Sequence, residues 1–341
     1  MPKKYNVAIL GAGQISSNHA AGFQEVSDLA QVVTVCDINH ENAENLATML
    51  DARITSDYRQ VLADPDVDLV DIILPHHLHH EVALATIAAG KHLLLEKPVA
   101  VSYQQSLEIC EAARRAGIHF GIAENTRYVP AYLEAEKLIR SGRLGEITLV
   151  RTFLPANERM RLSRDDFWGR KAGCGGGALI DSGPHSFYLI KWLFGEVKEL
   201  TAFTSQLYKF DSEVEDNADV RGKLVCGADF LSSFTFTAEI PHSERLEVYG
   251  TTGSLIVDQL ANPTVKFYAE PVDYEGSPVE GPEYDPMAWH FLSIVEEVKD
   301  FVQSLVEGRR PIVDPFDCCY AVKVIEKAYE SVQKGNTLVQ V

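Results

Sequence analysis

Basic side chains are few for a chain of this size: 31 Lys and Arg stand against 49 Asp and Glu, a formal net charge of −18. That excess of negative charge repels nucleic-acid phosphates and anionic membrane surfaces unless a basic patch offsets it, and the sequence has none. Long apolar runs are also missing. Met1-Pro2-Lys3-Lys4 leads directly into a strand-like run with no apolar signal segment, and no later run has the length to span a bilayer. The expectation is a soluble, cytoplasmic protein without nucleic-acid or membrane partners. The six cysteines (Cys36, Cys110, Cys174, Cys226, Cys318, Cys319) form no C-x-x-C pair and no zinc spacing. They read as reduced thiols, with no metal site. Cys174, just before a triple glycine, reads as a small packing residue rather than a nucleophile. Internal repeats and low-complexity segments are absent too.

Hydrophobic residues fill 46% of 341 positions, enough for two domains with separate cores. The apolar run Tyr5 to Leu10 ends at Gly11, and the mixed pattern from Ser16 to Leu29 suits a helix, so the chain opens as strand, tight turn, helix. Strands follow at Val32 to Cys36, Leu69 to Leu74, His92 to Leu95 and His119 to Ala123. Helices are expected at about Glu41 to Leu50, at His79 to Ala89 before Gly90, and at Tyr103 to Ala116 before Gly117. This alternation predicts a doubly wound parallel sheet whose ligand crevice lies at the carboxyl ends of the strands. Past a helix from Pro130 to Ser141, alternating or aromatic runs at Ile147 to Phe153, Glu199 to Gln206, Val220 to Leu224, Asp229 to Thr237 and Arg245 to Tyr249 predict a mostly antiparallel sheet. Further helices are expected after His185, from Phe291 to Glu307 and from Phe316 to Gln333. The acidic, Pro- and Gly-containing stretch Ala269 to Pro286 reads as a long surface loop.

Three segments carry chemistry. Gly11-Ala12-Gly13-Gln14-Ile15-Ser16 has the first two glycines of a dinucleotide fingerprint, with Ser16 where a third would stand, and Asp37 ends the second strand where a ribose hydroxyl is held. A carboxylate there favours NAD over NADP by repelling a 2′-phosphate. Glu96-Lys97-Pro98 ends a strand at the crevice rim, where an ammonium stabilises a developing alkoxide. In Gly175-Gly176-Gly177-Ala178-Leu179-Ile180-Asp181-Ser182-Gly183-Pro184-His185, the glycines are expected to let backbone approach a ligand, and Asp181 and His185 can handle protons. Ser182-Gly183-Pro184 resembles a helix start with Pro in its first turn, which would leave Asp181 outside the helix. Pro75-His76-His77-Leu78-His79-His80 invites a metal, but no recognised ligand spacing accompanies it, and His76 and His79 read as cofactor-loop contacts.

Together, Gly11-x-Gly13, Glu96-Lys97-Pro98 and the Gly175 to His185 segment resemble the Gfo/Idh/MocA family, that of glucose-fructose oxidoreductase and inositol dehydrogenase. The likeness runs through essentially the whole chain. Its supporting pieces are Pro75 with His79 ahead of Gly90-Lys91-His92, Asn125-Thr126-Arg127-Tyr128, Gly142-Arg143-Leu144-Gly145, Val214-Glu215-Asp216-Asn217 and Tyr249-Gly250-Thr251-Thr252-Gly253-Ser254. Departures are His76, where Asn is frequent, and Ser182 and Pro184. The resemblance implies an NAD-binding Rossmann domain over residues 1–125. It implies an α/β domain over 126–341 whose large open, mostly antiparallel sheet serves substrate binding and homodimer or homotetramer contacts. It implies that Lys97, Asp181 and His185 are catalytic, and that Gly11, Gly13, Gln14, Ile15, Asp37, Pro75, His76, His79, Glu96, Lys97, Asn125 and Trp168 hold the cofactor. Lys97, Arg127, Tyr128, Asn157, Arg170, Asp181 and His185 would touch the substrate, with Arg159 and Arg161 near the pocket.

The expected activity is hydride transfer between NAD and a secondary alcohol or ketone of a sugar, sugar derivative or cyclitol, with NADP the lesser cofactor. Two rivals come from the same family: cleavage of a glycoside with internal recycling of NAD, and a non-catalytic NAD-binding regulator.

Overall fold

The computed structural model describes residues 3–158, 162, 167–208, 211–269, 277–278 and 286–341. The chain divides into two compact units, residues 1–127 with 290–319, and residues 128–289 with 320–341.

The first unit alternates β1 (Tyr5–Leu10), α1 (Ser16–Glu25), β2 (Ala30–Cys36), α2 (His40–Leu50), β3 (Arg53–Thr55), α3 (Tyr58–Ala63), β4 (Leu69–Ile72), α4 (His76–Ala88), β5 (His92–Glu96), α5 (Tyr103–Ala116) and β6 (Phe120–Ala123). Its six strands are all parallel, in the order β3-β2-β1-β4-β5-β6. This is the Rossmann order. Val7 to Leu10 and all of β4 are buried, as strands covered on both faces must be. Side chains cap the helices at Asn39, Asp57 and Ser102, and Gly117 closes α5 at φ 66°. β3 and α3 are short, and β3 is an edge strand with two exposed residues, so the apolar pattern that marks the other strands is missing there.

The second unit holds α6 (Pro130–Arg140), β7 (Ile147–Pro155), α7 (Lys171–Cys174), α8 (Ala178–Phe194), β8 (Val197–Ser205), β9 (Asn217–Leu224), β10 (Asp229–Thr235), β11 (Arg245–Gly250), β12 (Gly253–Asp258), β13 (Val265–Ala269) and β14 (Ser277–Pro278). After these come α9 (Pro286–Glu307), α10 (Pro315–Gln333) and β15 (Val339–Gln340). Nine strands form one sheet, β14-β13-β12-β11-β7-β10-β9-β8-β15, antiparallel except at the central β10–β7 pair. The register aligns Thr152, Ser232, Val220 and Ala202 on one buried face and Phe153, Ser233, Asp219 and Phe203 on the other. α8 packs on β7, β9 and β10, where the Thr152, Ser186 and Ser232 hydroxyls hydrogen-bond one another at 2.6–3.1 Å.

Two expectations change. A single break at residue 125 is replaced by a split in which 290–319 return to the first unit. The cause is packing: Val298, Phe301 and Val302 of α9 join Val7, Ile9, Ala20 and Phe23 in one core cluster. Gly22 and Gly121 make room for Val298 and Phe301, which an added Cβ would strike. The helix carrying His185 starts at Ala178, not at Ser182, so Pro184 lies inside it. The surface loop expected at Ala269 to Pro286, and Arg159 and Arg161, fall largely or wholly outside the described residues.

Candidate active site

The glycine turn sits at the topological switch point between β1 and β4. Gly11 has φ +103°, and a Cβ there would overlap the Ile73 carbonyl at the end of β4, so only glycine fits. Gly13 and Gln14 are exposed and Ile15 is half-buried. Ser16, in the place of a third glycine, donates from Oγ to Gly13 O at 2.6 Å and so closes the turn itself. Asp37 is held rigidly: Oδ2 accepts the Ala12 N–H at 2.6 Å and Oδ1 accepts the Asn39 N–H at 2.7 Å. The acid at the end of β2 thereby fastens the turn after β1.

Pro75 and His76 begin α4 at the carboxyl edge of the same sheet, with His76 buried. His79 departs from its expected role. Its Nδ1 lies 2.8 Å from Pro98 O and its Nε2 2.7 Å from Leu74 O, so the fully buried ring joins the loops after β4 and β5 and offers a cofactor no nitrogen. Burial lowers its pKa. Glu96, expected to contact the cofactor, accepts the Lys97 N–H at Oε2, 2.9 Å, and faces His19 Nε2 with Oε1, 3.1 Å. Lys97 is half-buried, and the Lys97–Pro98 bond is cis. Asn125 donates from Nδ2 to Ser293 Oγ at 2.8 Å, and Arg127 closes the same short 3-10 turn. His19 was not legible as a site residue, because nothing in the local pattern of α1 tells that Asp71 and Glu96 will meet it.

In the second unit, Asp181 lies in the first turn of α8 and His185 one turn later, a spacing that puts both on one helical face. The preceding glycines answer to the protein itself. A Cβ on Gly176 would overlap the Tyr329 hydroxyl, and one on Gly177 the Glu215 carbonyl. These close approaches cap α8, whose own N-cap residue, Gly177, has no side chain for the purpose. Glu215 Oε1 accepts the Gly177 and Leu179 N–H groups at 3.0 and 3.1 Å, and Glu215 O accepts Ala178 N–H at 3.1 Å. Three N–H donors at the start of α8 are thus satisfied by one distant residue. Burial raises the Glu215 carboxyl, against the hydrogen bonds it accepts.

Cys174 is buried, and burial pushes its thiol up to about 11, which agrees with a packing role. Half-buried Trp168 packs on Phe167 with ring centroids 4.7 Å apart, and exposed Arg170 begins α7. Tyr128 is half-buried, and exposed Asn157 donates to Glu239 Oε2 at 2.9 Å. Lys97, Asp37 and the glycine turn share the first unit, and Asp181 and His185 share α8 of the second.

Comparison with known proteins matches residues 5–123 to the oxidoreductase family with the NAD-binding Rossmann fold, Gfo/Idh/MocA, and residues 132–256 to the Gfo/Idh/MocA C-terminal domain. The chain belongs to the Gfo/Idh/MocA family. As a member it is an oxidoreductase with a dinucleotide-binding Rossmann domain. Among the relatives, levoglucosan dehydrogenase of Pseudarthrobacter phenanthrenivorans is 32% identical over 209 residues, 59% of this chain and 54% of its own. Inositol 2-dehydrogenase of Acidothermus cellulolyticus is 26% identical over 347 residues, covering 98% of this chain and 95% of its own. The crystal structure of GenD2 from gentamicin A biosynthesis, in complex with NAD, is 27% identical with a TM-score of 0.87, covering 100% of this Gfo/Idh/MocA chain and 97% of that one. No helix among the described residues is long and apolar enough to cross a membrane.

Proposed function

We propose that the protein is an NAD-dependent dehydrogenase acting on a secondary alcohol, or the matching ketone, of a sugar, sugar derivative or cyclitol. The observation that carries this reading is the position of Lys97, immediately after β5 at the carboxyl edge that also bears the Gly11 to Ile15 turn and Asp37. The turn suits a dinucleotide pyrophosphate. The first turn of α1 has no acidic side chain, and the space where a Cβ of exposed Gly13 would stand is open. A nicotinamide dinucleotide bound there supplies the hydride acceptor or donor.

The chain's own groups would handle the oxygen and its proton. The Lys97 ammonium stabilises negative charge on the reacting oxygen, and His185 takes the hydroxyl proton in oxidation or returns it in reduction. Asp181, one turn earlier, orients His185 or a substrate hydroxyl. Pro75, His76, Asn125 and Trp168 are proposed as cofactor contacts beside Gly13, Gln14 and Ile15, and Arg127, Tyr128, Asn157 and Arg170 as substrate contacts. The fixed carboxylate of Asp37 supports NAD over NADP, because it stands where a 2′-phosphate would be repelled. The names of the inositol and levoglucosan dehydrogenase relatives support a polyhydroxylated substrate. A cytoplasmic homodimer or homotetramer belongs to the same proposal, supported by Phe153 and Phe203, about half exposed on the outer sheet face; light scattering tests the assembly.

The deciding experiment follows reduced nicotinamide by absorbance with NAD or NADP and a panel of sugars, glycosides and inositols, beside Lys97→Ala and His185→Ala. Turnover lost in both variants supports the dehydrogenase; turnover intact in both defeats it. Glycoside products without net reduced cofactor would favour recycled redox chemistry, and NAD binding without any turnover a regulator.

A further inference from the structure

A group of titratable side chains is buried inside the first unit. His19 of α1 presents Nδ1 to Asp71 Oδ2 of β4 at 2.9 Å and Nε2 to Glu96 Oε1 of β5 at 3.1 Å, with the His19 and Asp71 side chains wholly buried. A neutral imidazole has one N–H and would turn a lone pair on one of these carboxylates. Both contacts are favourable only when the ring carries two protons. The second oxygen of Glu96 accepts the Lys97 N–H, so a chain of polar contacts runs from the helix after the glycine turn to Lys97.

We propose that His19 is a positioning residue: an imidazolium that keeps Glu96 ionised and oriented beside Lys97 and so sets both the Lys97 backbone and the charge facing its ammonium. The inference rests on the reading of Lys97 as the group that acts on the substrate oxygen.

The surroundings agree. Burial by itself would lower the His19 pKa, but Asp71 and Glu96 outweigh it and hold the ring well above its ordinary value. Burial would likewise raise Glu96, yet hydrogen bonding and charge from His19, with Lys97 and His79 assisting, bring it below the usual range. Glu297 of α9 completes the cluster. One of its carboxyl oxygens lies within 4.8 Å of the facing His19 and Glu96 atoms, and its buried Oε2 has no hydrogen-bond partner, as is true of Asp71 Oδ1. Burial, with Glu96, Glu124 and Asp71 nearby, raises Glu297 well above its ordinary value. Removing the imidazolium would let burial protonate Glu96, Lys97 would lose its negative neighbour, and its own pKa would fall.

The test uses the full chain and does not depend on turnover. Nitrogen NMR of the His19 ring, assigned against His19→Gln, is expected to show both nitrogens protonated at neutral pH; a neutral ring overturns the proposal. The carbon NMR titration of the Lys97 side chain, assigned with Lys97→Arg, is expected to move to lower pH by about one unit in both His19→Gln and Glu96→Gln. An unmoved titration in both overturns it, even if melting temperatures drop, because a merely structural role would not touch Lys97. If His19→Gln does not fold, Glu96→Gln and Asp71→Asn carry the titration. Where a substrate has been verified, kcat is expected to fall about tenfold in His19→Gln with KM nearly unchanged. A stoichiometric divalent metal in the purified protein, lost in His19→Gln, would overturn the proposal in favour of a metal held by His19, Glu96 and Glu297. Absence of turnover on every polyol would defeat the dehydrogenase reading alone and leave both NMR results standing.

Discussion

The Tyr329 hydroxyl donates to Glu215 Oε1 at 2.8 Å, and that same oxygen caps the first turn of the helix bearing Asp181 and His185. The carboxylate lies at the positive end of the α8 dipole, so charge and hydrogen bonding act together there. Glu215→Ala would leave buried N–H groups and the Tyr329 hydroxyl without acceptors, and is expected to cost about 3 kcal/mol, against about 1 kcal/mol for Tyr329→Phe. Denaturant melts of the two variants check the ranking. On a verified substrate, kcat should fall in both, and more in Glu215→Ala.

Two glycines separate fold from ligand. Gly177→Ala drives a Cβ into the Glu215 carbonyl, whereas Gly13→Ala meets nothing within 4 Å. The first change is expected to destabilise by about 2–4 kcal/mol through forced displacement of backbone. The second should leave the melting temperature of the free protein in place and weaken NADH binding, since the added methyl occupies the space offered to a pyrophosphate. Equal melting losses in both would contradict the assignment of Gly13 to the ligand.

Asp37 acts on both the turn and the cofactor. Asp37→Ala removes the acceptor for the Ala12 and Asn39 N–H groups and the charge expected to repel a 2′-phosphate. The variant should lose about 1–2 kcal/mol of stability and shift the NADPH-to-NADH affinity ratio by about tenfold or more toward NADPH. Fluorescence titration with each reduced cofactor measures the shift.

His119 should give the fold an acid-side weakness. Burial, with His92 adding to it, pushes its pKa from 6.5 down to about 4. His92 Nδ1 accepts the His119 N–H at 3.1 Å, and His119 Nε2 lies 2.8 Å from Ser304 Oγ on α9. The unfolded chain therefore binds a proton at a pH where the folded one does not. This contribution to stability is complete above pH 6.5 and is lost as pH falls toward 4. In His119→Gln the slope of unfolding free energy against pH in that window is expected to decrease by up to about one proton; urea melts at several pH values read it.

Much of the first unit was legible locally. The alternation of buried apolar runs with capped, glycine-terminated helices is written within each segment, and Tyr103–Ala116 is the same helix in sequence pattern and in structure. The crevice turn and Asp37 were legible for the same reason, since strand ends and glycine spacing are local signals. Asp181 and His185 were visible as residues, while their placement on one helix was not. A search for a nearby cap stops at Ser182, and the groups that cap α8 are Glu215 and Tyr329.

Composition, spacing and periodicity by themselves determined the fold class and the glycine turn with its partner acid, and singled out Lys97, Asp181 and His185 as the candidates for proton handling. Only the tertiary structure decided that α9 completes the core of the first unit, that Gly176 and Gly177 yield space to Tyr329 and Glu215, and that His19 stands between two carboxylates. The physical reason is range. A helix period or a turn is specified by neighbours in the chain, but a cap 38 residues away, a hydroxyl partner 114 residues from its carboxylate and a histidine–carboxylate contact spanning 77 residues exist only once packing has brought them together.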